Sequence, residues 1–377
     1  MTAIRPREFL MIPGPTPVPD EVLEAHAKHP LGHRSQEFSQ ILDEAIEGLS
    51  WLAASENEPL ILTSSGTGAM DAAVANTINR GDRVLSLVCG VFGERFAKIA
   101  TAYGAEVERL SAEPGNAIDP EKVDAALKKN AGIKAVTITH NETSTGVIND
   151  LEAIARVARK HDALILVDAV TSFGAAPVEI DGWDLDVVVT GSQKALMLPP
   201  GLAFIYLSQR AWNSYESCTN GRFYLDLGRY LKSQKEKTTP FTPNVSLIRA
   251  LTASLTMMKA DGKESIFARH RKLREMLRKA IVETGLKPFV EESCASPTIT
   301  SILPPEDMTV PEIRQRLKDD YRIIVADGQD ELKGKIFRIG HMGYVFERDI
   351  AMTIAALQNV LDRRSSSSSS SKSASLR

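Results

Sequence analysis

The chain has 377 residues, 43% of them hydrophobic and 25% charged, with a formal net charge of −3. That length suits two domains with a sizeable core, and so near a charge balance gives no electrostatic case for nucleic acid or an anionic membrane surface. Small molecules and a second copy of the chain are the expected partners.

Residues 1–15 are expected to form an N-terminal arm. The opening MTAIRPREFLMIPGPTP has no long apolar stretch and soon meets several prolines, so neither a secretory signal nor a membrane anchor is expected. No later apolar run approaches the roughly 20 residues of a spanning helix. Cys89, Cys218 and Cys294 lie too far apart for a paired or cluster-binding motif, which points to a reducing compartment, the cytoplasm.

Residues 16–261 read as a large α/β domain. Apolar runs at 60–63, 83–88, 133–139, 163–167, 186–190 and 202–207 alternate with helical periodicity at 69–79, 93–103, 120–129 and 151–161. Runs of this length, buried on both faces, are what a parallel sheet produces. The alternation predicts a mostly parallel central sheet with helices on both faces. Residues just after such strands converge on a crevice at their carboxyl ends.

Five places there carry chemistry. In LTSSGTGAMDAA, 62–73, small and hydroxyl residues separate a strand from a helix. Ser65, Gly66 and Thr67 could cradle a phosphate at the helix N-terminus, or simply cap the helix. In CGVFGERFAKIA, 89–100, Phe92 stands between two glycines and could stack on a flat ring, or pack in the core. In THNETSTGVIND, 139–150, Thr143 could reach a bound phenolic oxygen or a substrate, though a turn explains the same composition. In LILVDAVTSFG, 164–174, Asp168 closes an apolar strand, where an uncompensated carboxylate costs several kcal/mol. It needs a cation, such as a protonated ring nitrogen or a structural partner. In VVVTGSQKALMLPPG, 187–201, Lys194 follows one apolar stretch and precedes another. Desolvation there lowers an amine's pKa and makes it a nucleophile able to form a Schiff base. The alternative is a lysine that snorkels to water.

The Pro/Thr-rich stretch KTTPFTPN at 237–244 interrupts the rhythm. Residues 245–285 read as a long amphipathic region whose charged part, ARHRKLREMLRKAIVE, is expected to be a solvated helix linking two domains. Residues 262–364 are then a smaller α+β domain, with strands near 298–303 and 336–339 and helices near 310–319 and 347–361. Seven consecutive serines open the segment 365–377, which cannot bury enough apolar surface to order itself and is expected to be a disordered tail.

Taken together, SSGTGAMDAA, GVFGER, NETSTGV, VDAVTSFG and GSQKALMLPPG, with MIPGPTPVP, GHRSQEF and FRIGHMGYV, make the chain resemble a known family. It is that of the class V aminotransferases of pyridoxal-phosphate fold type I, in the alanine/serine–glyoxylate branch. The resemblance covers all but the serine tail. It implies that Lys194 binds pyridoxal 5′-phosphate covalently and that Asp168 pairs with the ring nitrogen. Phe92 would stack on one face of the ring and Val170 pack on the other. Ser65, Gly66, Thr67 and Gln193 would hold the phosphate, Thr143 would lie near the phenolic oxygen and the substrate, and Arg338 would grip the substrate carboxylate. It also implies a homodimer with sites at the interface, where Thr242 would reach the phosphate of the neighbouring copy. No second anion clamp beyond Arg338 is apparent, which favours alanine or serine as donor and glyoxylate as acceptor. Two other readings compete: a cysteine desulfurase on the same fold, with Cys218 as its sulfur carrier, and a subunit of a soluble hydrogenase.

Overall fold

Seven segments form the central sheet of the computed structural model, which describes residues 7–373, with side chains as far as Arg363. They are β1 (Leu60–Leu62), β2 (Arg83–Val88), β3 (Glu106–Ser111), β4 (Ile133–Thr139), β5 (Leu164–Asp168), β6 (Val187–Gly191) and β7 (Ala203–Leu207). Their spatial order is β1-β7-β6-β5-β4-β2-β3. The pairings from β6 to β3 are parallel, and β7 runs antiparallel to both β1 and β6.

Six of these strands are those expected from the apolar runs. The seventh, β3, has the sequence EVERLS and is half exposed along its length. It lies at the edge, where charged side chains discourage pairing with a second sheet, so its strand character does not register as an apolar run.

Because successive side chains point to opposite faces, each central strand feeds two cores. Val136, Ile138, Ile165, Val167 and Val188 pack with Phe38, Leu49, Ile154 and Leu251 on one face. Ala135, Leu164, Leu166, Val187 and Val189 pack with Met70, Ala73 and Phe96 on the other. Each buried Val, Leu or Ile contributes about 1.5–3 kcal/mol. The register sets Thr139 opposite Asp168, and Asp168 opposite Val189. The carboxyl ends of β4, β5 and β6 are therefore level, and the segments leaving them meet.

The C-terminal part has a four-stranded sheet with Ile299–Leu303 and Phe337–Gly340 at its centre. It shares a third core with the helices Lys263–Glu283, Val310–Tyr321 and Glu347–Ser373. Two expectations need correction. The region 245–285 is two helices, Val245–Asp261 and Lys263–Glu283, broken at Gly262, whose φ of +78° suits only glycine well. The charged stretch is not solvated all round, since Leu273, Leu277 and Ile281 are buried in the third core. The last helix runs from Glu347 to Ser373. Within the expected arm, Phe9–Leu10 pairs with Ile323–Ile324, and Met11 is buried. Residues 1–6 of the arm and 374–377 of the tail lie outside the described residues.

Candidate active site

A cleft of about 290 Å³ opens at the carboxyl ends of the central strands. Nine of the eleven residues singled out in the sequence line it: Ser65, Gly66, Thr67, Phe92, Thr143, Asp168, Val170, Gln193 and Lys194. Arg338 and Thr242 do not.

Lys194 leaves the end of β6 and is 7% exposed. Burial pushes its amine down to about 8, against the opposing pull of Asp168; Arg338 and Arg95 lower it further, while Glu142 raises it. The amine donates to the Pro13 carbonyl, and the Lys194 carbonyl accepts from the Thr16 hydroxyl at 2.8 Å. Asp168 closes β5 and is 3% exposed. Burial pushes its carboxyl up to about 6, although the Val170 N–H, donating at 2.9 Å, and the Thr139 hydroxyl at 3.3 Å both favour the charged form.

The cradle is the first turn of the helix Gly66–Thr77. Ser65 caps it by accepting from the Gly68 N–H at 3.3 Å, and the first amides of any helix lack intrahelical partners. A Cβ on Gly66 would lie 2.6 Å from the Val170 side chain, so backbone meets Val170 with no room for more.

Phe92 stands in the first turn of the helix Val91–Ala102. The carboxyl group of Glu142, fully buried, fastens that turn: the Phe92 and Gly93 N–H groups each donate to its Oε2 at 3.1 Å. The Ser144 N–H and hydroxyl donate to Oε1 at 3.0 and 2.6 Å. Sequence reasoning missed Glu142, whose one signal was a carboxylate just beyond a buried strand, the pattern that marks Asp168. It missed Arg95 as well. The Arg95 guanidinium lies 4.5 Å from the Phe92 ring centroid and donates to the Thr67 hydroxyl at 2.9 Å. It lines the cleft. Its spacing of three residues from Phe92 puts both on one helix face.

Thr143 shares a 2.6 Å hydrogen bond with the Thr171 hydroxyl, and its carbonyl accepts from Arg338 at 2.8 Å. Arg338 is buried behind Thr143 in the C-terminal sheet. It also donates to the Asp327 carbonyl and to the Gln329 side chain. Burial pushes it down to about 10. Thr242 is exposed, outside the cleft, beside Phe241, which stacks on the exposed Tyr224.

These residues fit a flat phosphorylated cofactor with a basic ring nitrogen and an aldehyde. Among the described residues no side chain forms an ion pair with Asp168, so a buried carboxyl lacks its cation. The Gln193 Oε1 is buried without a hydrogen-bond partner beside the cradle. The Lys194 amine lines the same cleft.

The profile of the family described as Aminotransferase class-V matches residues 9–333. The soluble hydrogenase small subunit of Synechococcus sp. (strain PCC 6716) is 50% identical over 94% of this chain and 93% of its own length. The L-aspartate–glyoxylate aminotransferase of Paracoccus denitrificans is 34% identical over 93% of this chain and 90% of its own. The solved structure of an alanine–glyoxylate aminotransferase from Nostoc sp. superposes with a TM-score of 0.90 at 32% identity, covering 96% of this chain and 97% of that one. Both the geometry of the cleft and the reach of these matches lead to one statement: the chain belongs to the class V aminotransferases.

Proposed function

We propose that the chain is a pyridoxal 5′-phosphate-dependent transaminase that moves the amino group of alanine or serine to glyoxylate or pyruvate in a ping-pong cycle. The observation that carries this reading is that Lys194 and Asp168, one buried amine and one buried carboxyl, face a single cleft beside the first turn of the helix Gly66–Thr77. The cofactor, when bound, supplies an electron sink for the pair released from the substrate Cα.

The protein's own groups do the rest. Lys194 Nζ, once free, is the base that takes the Cα proton and returns it. Asp168 keeps a proton on the ring nitrogen, and its burial removes the water that would weaken this pairing. Phe92 and Val170 sandwich the ring, and Ser65, Gly66, Thr67 and Gln193 hold the phosphate. Thr143 stands by the phenolic oxygen and the substrate. Arg338 takes the substrate carboxylate, for which a guanidinium offers two parallel donors, once it gives up the bond to the Thr143 carbonyl that seats it behind the cleft wall. A second copy of the chain completes the site, bringing its Thr242 to the phosphate; the exposed Phe223, at 64%, and Tyr224, at 41%, lie on the same surface.

Cys218 favours no sulfur-transfer reading. Its thiol is buried against the carbonyls of Ala75 and Ile78 rather than in the cleft. Among the described residues no group of three His, Cys, Asp or Glu side chains is arranged to hold a metal ion. The test is a panel of alanine, serine, aspartate and cysteine against glyoxylate and pyruvate, compared by kcat/KM. Alanine or serine with glyoxylate is expected to lead. A lead for aspartate would replace the proposed donor, and persulfide on Cys218 with cysteine would replace the proposed reaction.

A further inference from the structure

Among the guanidinium groups near Lys194, Arg95 is used least by the fold. Its one hydrogen bond among the described residues goes to the hydroxyl of Thr67, in the first turn of the cradle helix. Its flat face lies on the Phe92 ring, which fixes the fork while leaving most of its N–H groups free. No carboxylate pairs with it among the described residues. It is half-buried on the cleft wall, so this charge is left without a counterion next to helix amides that already favour an anion. Glu142 anchors the turn that carries Phe92, and Phe92 in turn carries Arg95.

On the reading of the cleft as a pyridoxal-phosphate site, we infer that Arg95 is an additional cofactor-binding residue. It neutralises the cofactor phosphate through the Thr67 end of the cradle and locks that cradle to the ring-stacking Phe92. The anion it serves is the phosphate and not a second carboxylate of the substrate, because its hydrogen bond is to the cradle.

The test compares binding of pyridoxal 5′-phosphate and of pyridoxal, which lacks the phosphate, to apo-protein. Wild type, Arg95→Met and Arg95→Lys are titrated by absorbance, with thermal melts to show that each variant folds. In Arg95→Met, pyridoxal 5′-phosphate binding is expected to weaken roughly 10- to 100-fold, the size of one lost charge-assisted hydrogen bond, while pyridoxal binding changes little. Arg95→Lys should restore most of the preference for the phosphorylated form. Inorganic phosphate should raise the melting temperature of wild-type apo-protein and not that of Arg95→Met.

Equal weakening of both ligands, or of neither, overturns the inference. So does unchanged cofactor binding combined with a selective loss of kcat/KM for aspartate, which would assign Arg95 to a substrate carboxylate. If Arg95→Met does not fold, Arg95→Gln, which removes the charge but keeps a polar side chain, takes its place in every measurement, with the same outcomes expected. Failure of wild type to bind pyridoxal 5′-phosphate at all would instead overturn the proposed function.

Discussion

The Lys194 amine is stripped of its hydration by burial against Pro13 and Gly14. That loss disfavours the ammonium form, and the nearby Asp168 only partly compensates. Since the neutral amine is the nucleophile, the rate at which apo-protein takes up pyridoxal 5′-phosphate should rise with pH and level off above about 8. A stopped-flow series at constant ionic strength checks this. A rate still climbing toward the ordinary lysine value of 10.5 would mean that the amine is solvated. Lys194 and Asp168 were legible in the sequence for a simple reason: each puts a charge where the flanking residues exclude water. Glu142 and Arg95 were not, because their roles depend on contacts with residues 92 and 67 that no local pattern announces. Arg338 was legible as a buried arginine, but its partners Thr143 and Asp327 come from other elements, so its seat behind the cleft wall was not.

The helix Val91–Ala102 shows how one element serves the site. Its N-cap, Gly90, has no side chain to bond the first amides, so Glu142 and Ser144, from the loop after β4, take that part. Replacing Glu142 with Gln turns one acceptor into a donor facing amides that are themselves donors. Apo Glu142→Gln is expected to lose about 1–3 kcal/mol of stability, the cost of leaving such groups unpaired. Denaturant unfolding measures it, and an unchanged midpoint would show that the cap is dispensable. Most central elements could be read from apolar runs, because β4 to β7 are buried on both faces. The edge strand β3 could not, and the helix Val91–Ala102 starts two residues before the periodicity at 93–103, its first amides being capped by Glu142 from a distant loop. The break at Gly262 was hidden because helical periodicity persists on both sides of it.

Across the whole molecule, the site is where separately built parts meet. The carboxyl ends of β4, β5 and β6 bring Thr143, Asp168 and Lys194 together, and the segment 13–15 closes over the lysine. The C-terminal sheet reaches the cleft through Arg338 and the Thr143 carbonyl. Within the C-terminal part, a buried histidine, His270, accepts from the Gly343 N–H at 3.0 Å, and burial lowers its pKa to about 4, which keeps the ring neutral for that bond. The order of strands and the convergence of their ends follow from the alternation of elements in the chain. The packing of residues 9–11 against the C-terminal part does not, since a two-residue strand leaves no periodic trace. All of this architecture serves one claim, that Lys194 is the amine to which the cofactor attaches. The most direct measurement is borohydride reduction of the protein loaded with pyridoxal 5′-phosphate, followed by proteolysis and mass spectrometry of the labelled peptide. A single stoichiometric label on Lys194, absent from Lys194→Ala, is expected; a label on any other lysine, or none, would rule out this attachment.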